Sequence, residues 1–182
     1  TEISEDVLIG DGGRLTFFER RYRSIETVYA DTTDWSEGDY EFIDTIYGDN
    51  GNDYIFGGQD GDILSGGHGP DRGPTDLVPY ASDNDVIIGD NGELLFADKT
   101  IEDNFGRLEL IRTTDEVETT GGADTVYGEE GADVILGGVN NGGSDKLYGD
   151  YYDYTILTPQ ITIGNDVILG DNGELDFALG SD

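Results

Sequence analysis

Asp44, Asp53, Asp62 and Asp71 stand nine residues apart, and the stretch that holds the last three, "GDNGNDYIFGGQDGDILSGGHGPD" (48–71), is mostly glycine and aspartate with single aliphatic residues at a fixed interval. Carboxylates at a regular spacing beside turn-forming glycines suit one chemistry above others, the coordination of a hard cation. Calcium takes six to eight oxygen ligands from carboxylates and backbone carbonyls in flexible geometry. Glycine supplies the positive-φ backbone of a tight turn, and β-branched or aromatic residues after each aspartate make a very short strand. Each nine-residue unit is therefore one turn and one strand. Units eighteen residues apart are expected to stack, Asp53 over Asp71 and Asp44 over Asp62, in columns of like charge that repel unless a cation sits between them.

The position two after each aspartate tests this pattern. It holds Leu8, Ile46, Ile55, Leu64, Ile87, Val126, Ile135, Leu147 and Ile168, aliphatic every time, as a core stripe requires. The last place of each unit holds Ile9, Tyr47, Phe56, Ile88, Tyr127, Leu136, Tyr148 and Leu169, with only Ser65 polar. This outer apolar stripe needs a cover, either the hairpins of the same repeat or a neighbouring chain.

The units follow G-G-x-G-x-D-x-U-x, where U is a large aliphatic residue, and this resembles the nonapeptide repeats of RTX proteins, the calcium-binding parallel β-roll family. "GEEGADVIL" (128–136) is a further copy and "GGVNNGGSDKLY" (137–148) carries an insertion. The resemblance implies an all-β fold, a calcium-stabilised parallel β-roll or solenoid with hairpin insertions, holding several Ca2+ ions. The candidate ligands are Asp6, Asp44, Asp53, Asp62, Asp71, Asp85, Asp124, Asp133, Asp145 and Asp166 at the repeat position, with Asp11, Asp49, Asp60, Asp90, Asp150 and Asp171 elsewhere in the same turns. Two units depart from the pattern. "GGQDGDILS" has Asp60 in a glycine place, and "GGHGPDRGP" has Gly73 in the core place, so the roll is expected to stop there.

A longer period contains the short one. "EDVLIGDGGRLTF" (5–17), "NDVIIGDNGELLF" (84–96) and "NDVILGDNGELDF" (165–177) are one motif. Residues 1–79 read as one repeat, 80–160 as a second and 161–182 as a partial third that is expected to pack on a neighbouring copy. Each repeat pairs two strands as a hairpin, "RLTFFE" with "SIETVYA" and "ELLFAD" with "RLELIR", before its run of nonapeptides. Tandem units of this kind, with "TTD", "GGADTVYG" and "VILGDNG" landmarks, resemble those of very long bacterial calcium-binding surface proteins.

Composition narrows the partners. Forty-one Asp and Glu against nine Lys and Arg give a formal net charge of -32, which opposes compaction and disfavours nucleic acid and anionic membrane alike. The 35% hydrophobic content and its periodic placement argue against an acidic disordered tail. No run is long enough to span a bilayer, and residues 1–20 lack a basic start with an apolar core, so an export signal is expected outside this chain or of another kind. Without cysteine there is no disulfide or thiolate site, and His68, the only histidine, reads as a turn residue because zinc would need further nitrogen or sulfur ligands. No nucleophile elbow accompanies it, and no enzymatic activity is expected. Trp35 reads as a local packing residue. Arg14, Arg20, Arg21 and Arg23 form either a solvated hairpin face or a basic patch that docks on the acidic surface of another copy. The expected role is an extracellular structural protein that associates head to tail, in a filament, sheath or adhesin stalk. An adhesin module that binds cell-surface glycans is the alternative.

Overall fold

The computed structural model describes residues 6–18, 21–28, 42–67, 83–97, 107–115, 120–150 and 164–177, and contains no helix among them. His68, Asp71 and Trp35 lie outside these residues. The chain is all-β, as expected. Among the described residues fourteen strands form three sheets.

Two sheets are built from three-residue strands and are wholly parallel. The first takes β1 (Val7–Ile9), β5 (Tyr54–Phe56), β7 (Val86–Ile88), β11 (Val134–Leu136) and β13 (Val167–Leu169), in that order. The second takes β4 (Thr45–Tyr47), β6 (Ile63–Ser65), β10 (Thr125–Tyr127) and β12 (Lys146–Tyr148). The third sheet is antiparallel and holds β2 (Gly13–Phe18), β3 (Arg21–Thr27), β8 (Gly92–Phe96), β9 (Leu108–Thr113) and β14 (Glu174–Asp176). The expected hairpins are present as β2–β3 and β8–β9. Their charges pair locally: Glu26 and Glu93 stand opposite one another on β3 and β8, and each is met by an arginine from its other side, Arg14 at 3.0 Å and Arg112 at 2.9 Å.

In all three sheets strand order follows chain order, so the molecule grows along one direction. The first parallel sheet is the middle layer. The central residues of its strands, Ile55, Ile87 and Ile135, face Leu64 and Val126 of the second sheet, all fully buried, with Leu8, Ile46 and Leu147 packed against them. This is the stripe read from the aspartate spacing. The outer stripe of the same sheet, Phe56, Ile88 and Leu136, packs under Ile25, Leu94, Phe96 and Ile111 of the hairpin sheet. Of the two candidate covers for that stripe, the hairpins of this chain supply it. On the second sheet the outer stripe stays more open: Tyr47 and Tyr148 are exposed, and Tyr127 and Tyr148 stack with ring centroids 5.1 Å apart.

The partial third repeat adds β13 to β11 and β14 to β9 of its own chain, with Leu175 against the hairpin core. Val167, Ile168 and Phe177 remain exposed there.

Because the middle sheet serves both cores, the two should melt together. Ile87→Ala on one side and Leu94→Ala on the other should each cost about 2–5 kcal/mol in excess calcium, in a single denaturant transition seen alike by far-UV dichroism and tyrosine fluorescence. A split transition for Leu94→Ala would show that the hairpins fold independently.

Candidate metal centre

Each parallel strand is followed by a glycine and preceded by an aspartate, and the structure makes these two the ends of one turn. Gly48 is closed by Asp53, Gly57 by Asp62 and Gly128 by Asp133, all within a nonapeptide. The same closure survives insertions in the chain. Gly10 is closed by Asp44, Gly66 by Asp85, Gly89 by Asp124, Gly137 by Asp145 and Gly149 by Asp166. In sequence the hairpins seemed to lie between a metal-binding turn and the nonapeptides that follow it. In the structure they are spliced inside a turn, between Gly10 and Asp44 and between Gly89 and Asp124.

The aspartates stack in two columns. On one edge the backbone N–H of Asp6 donates to Asp53, Asp53 to Asp85, Asp85 to Asp133 and Asp133 to Asp166, always to Oδ1, at 2.7–3.0 Å. On the other edge Asp44 donates to Asp62, Asp62 to Asp124 and Asp124 to Asp145, also to Oδ1 and at 2.7–3.0 Å. Asp44 over Asp62 is as the spacing predicted. Asp71, the partner read for Asp53, lies outside the described residues, and the rung bonded to Asp53 is that of Asp85. The strand that pairs with β5 on this side is β7, with Ile87 opposite Ile55. Fixed rung geometry, not fixed sequence spacing, sets the partner.

The second carboxylate oxygen is the informative one. Oδ2 of Asp53, Asp62, Asp124 and Asp133 is buried and has no hydrogen-bond partner. Each lies against the Cα of the glycine that opens its own turn, where a Cβ would collide with it. A carbonyl from the next rung points at the same place: Gly66 O at Gly48, Gly89 O at Gly57, Gly137 O at Gly89 and Gly149 O at Gly128. Gly10, Gly66 and Gly137 are likewise approached by the carboxylates of Asp44, Asp85 and Asp145 and the carbonyls of Gly57, Gly128 and Gly170, although Asp145 Oδ2 there accepts the Asn140 side-chain amide at 2.9 Å. At Gly48, Gly57, Gly89 and Gly128 two acceptor oxygens therefore approach the same place and the carboxylate oxygen has no donor. A buried carboxylate oxygen in that position needs a cation or a proton. Among the described residues no three acidic or histidine side chains gather at one point. The oxygens that meet at each turn glycine are one carboxylate and one carbonyl, the donor types a hard cation takes.

The remaining candidates lie off the columns. Asp49 and Asp60 adopt positive φ, 68° and 63°, in the turns, and their amides bond to Gly67 O and Thr120 O. Asp11 accepts the Gln59 N–H, Asp150 accepts the Gly164 N–H, and Asp171 is exposed at the end of the sheets. Asp90 is buried, with its Oδ1 on the Gly122 N–H. Three acidic residues not singled out from sequence also join the turns. Asp83 accepts the Gly51 N–H, Asp115 binds both nitrogens of Asn91, and Glu129 accepts the Ser65 hydroxyl. None holds the repeat position, so spacing gave no signal for them.

The profile of the RTX calcium-binding nonapeptide repeat matches residues 40–72 and 113–142, in four copies. The chain carries RTX calcium-binding repeats. RTX nonapeptide repeats bind Ca2+, several ions to an array, and proteins with them are typically secreted or surface-exposed. No curated protein and no solved structure matches the chain. The two matched segments cover about a third of the chain. The RTX turn geometry reaches further, from Gly10 to Gly170.

Electrostatics of the metal-free RTX turns follow from this packing. Burial is the largest cause in pushing Asp53 up to about 6, Asp124 and Asp133 to about 7, and Asp62 and Asp85 to about 8. The N–H from the adjoining rung opposes the shift, and neighbouring aspartates add to it. A carboxyl with a raised folded-state pKa binds more protons folded than unfolded between pH about 4 and its folded value, so it stabilises the metal-free fold at acid pH and ceases to as pH rises. In excess chelator, β-sheet dichroism should therefore increase as pH is lowered from about 8 to about 5, in the window of these shifts. Strengthening with rising pH in chelator would contradict it.

The cradle itself can be filled. Gly89→Ala puts a methyl between Asp124 Oδ2 and Gly137 O, while a Cβ at Gly170 meets nothing. Calorimetric titration should show at least tenfold weaker calcium binding at one site for Gly89→Ala and none lost for Gly170→Ala; equal curves would remove the cradle from the site.

Proposed function

We propose that the chain is an extracellular structural protein, a calcium-stabilised parallel β-roll with hairpin insertions that serves as a building block of a surface filament, sheath or adhesin stalk. In this reading the paired Asp Oδ2 and glycine carbonyl of each turn hold one ion, and the ions tie successive rungs along both edges. The observation that carries it is the shared strand order of all three sheets: each adds strands in chain order in one direction, so a further unit extends all three at once. A solenoid of this kind has no intrinsic length limit and needs its ends covered.

The terminal strands support the same reading. At one end β2 leaves Leu15 and Phe17 exposed, and at the other β13 and β14 leave Val167, Ile168 and Phe177 exposed. Open strand edges with apolar side chains template pairing with another unit. Head-to-tail contacts of this type are heterologous and do not close on themselves, so they give fibres. A next unit reaches the same edges whether it is covalently linked or a second copy.

A glycan-binding adhesin module is the second reading, favoured by the exposed Tyr47 and Tyr148 on the second sheet, the latter stacked on the half-buried Tyr127. Stacked rings offer flat apolar surface to a sugar.

Light scattering over a concentration series in calcium separates these. Mass should grow with concentration, and Phe17→Arg or Ile168→Arg should stop the growth without loss of β signal. Two copies fused head to tail should fold at lower calcium than one. A monomer at every concentration, with a fusion no easier to fold than a single copy, would overturn the building-block reading.

A further inference from the structure

β14 has one neighbour in the hairpin sheet where its equivalent, β8, has two. The shared motif sets Asn172, Gly173, Glu174, Leu175 and Phe177 in the places of Asn91, Gly92, Glu93, Leu94 and Phe96. β14 stands to β9 as β8 stands to β3. Glu174 is opposite Arg112 as Glu93 is opposite Glu26, and the Gly173 N–H donates to Thr113 Oγ1 at 3.0 Å as the Gly92 N–H donates to Thr27 Oγ1 at 2.9 Å. The junction between repeats is therefore built the same way twice. On its other side β8 has β9, whereas β14 has no strand there among the described residues.

What β9 supplies to β8 shows what that edge lacks. The Arg112 guanidinium takes Glu93 at 2.9 Å, and the Asp115 carboxylate accepts both nitrogens of Asn91, the backbone N–H at 2.9 Å and the side-chain amide at 3.1 Å. The Thr114 N–H donates to the Asn91 carbonyl at 2.9 Å. Asn91 is buried there, and Phe96 is 4% exposed. At β14 Asn172 is exposed and gives a side-chain N–H to the Asp115 backbone carbonyl, and Phe177 is 44% exposed. Glu174 is exposed and has no ion pair among the described residues, because the guanidinium opposite it is spent on Glu93.

The first hairpin matches its strands with other residues. Arg14 on its first strand meets Glu26 on its second at 3.0 Å, the reverse of Glu93 and Arg112. Counted from the paired Gly13 and Thr27, Gly12 and Tyr29 hold the places of Asn91 and Asp115. Each first strand is thus matched to its own second strand at both places, and Glu174 and Asn172 repeat the second hairpin's set.

We propose that the outer edge of β14 binds one antiparallel strand of the β9 type, a segment of a following unit with Arg, Thr and Asp at the places of Arg112, Thr113 and Asp115, and that Glu174 and Asn172 select it. The proposal rests on the building-block reading and names the partner of this end. An edge strand offers its backbone to any incoming strand, so side chains decide which one pairs. A β3-type strand would set a glutamate against Glu174 and no carboxylate against Asn172. Like charges directly opposite destabilise such a pair.

Fluorescence anisotropy of a labelled peptide, "RLELIRTTD" (107–115), titrated with the whole chain in calcium reads the site. The peptide should bind the wild type, and Glu174→Arg should weaken it at least tenfold. The same peptide with glutamate at the place of Arg112 should reverse the order and prefer Glu174→Arg. Binding indifferent to residue 174 overturns the proposal. Should neither peptide bind measurably, the strand is supplied covalently, by following Phe177 with a second copy of residues 97–115. In calcium that chain should melt at higher temperature with arginine than with glutamate at the place of Arg112, and Glu174→Arg should invert the difference; equal melting of the four chains overturns the proposal. Growth of mass with concentration in the unextended chain, alongside indifference to these charges, removes this site and leaves the building-block reading standing, so the two failures are distinguishable.

Discussion

The structure depends on one electrostatic constraint, that two columns of aspartate carboxylates are stacked rung over rung and buried at their inner rungs. Hydrogen bonding resolves only part of it. Each inner rung's amide satisfies one oxygen of the next carboxylate, at 2.7–3.0 Å, and leaves the other turned inward toward a glycine carbonyl. With a formal net charge of -32 the chain has few cations of its own to supply, and among the described residues the two ion pairs given by Arg14 and Arg112 lie on the hairpins. The missing charge must come from solution, and calcium is what RTX repeats take up. Metal binding and folding then become a single equilibrium.

Everything else is arranged around that constraint. Three-residue strands contribute few backbone hydrogen bonds each, so a rung has little stability alone and gains it from the rungs on either side. The middle sheet is apolar on both faces because the second sheet lies on one side and the hairpins on the other. Splicing a hairpin inside a turn keeps Gly89 and Asp124 together while placing β8 and β9 over Ile88, so the cover of the core is tethered to the aspartate columns.

Much of this was legible in the chain because glycine, aspartate and the aliphatic position are separately constrained. Ile55, Leu64, Ile87, Val126 and Ile135 were identifiable as core from their offset to an aspartate alone, and all are fully buried. Stacking partners were less legible. Asp53 meets Asp85 and Asp62 meets Asp124 across insertions that break the nine-residue count, and rung contact is decided by which strand next offers a core residue. The roles of Asp83, Asp115 and Glu129 had no sequence signal, since their bonds to Gly51, Asn91 and Ser65 arise from rungs brought together by the fold.

The most direct measurement is far-UV circular dichroism of the whole chain at neutral pH and low salt, titrated with calcium after complete chelation. The account predicts loss of the β signal in chelator, cooperative return with calcium, and poor return with magnesium, whose small octahedral shell and tightly held water do not suit these oxygens. Full β signal retained in excess chelator would contradict it.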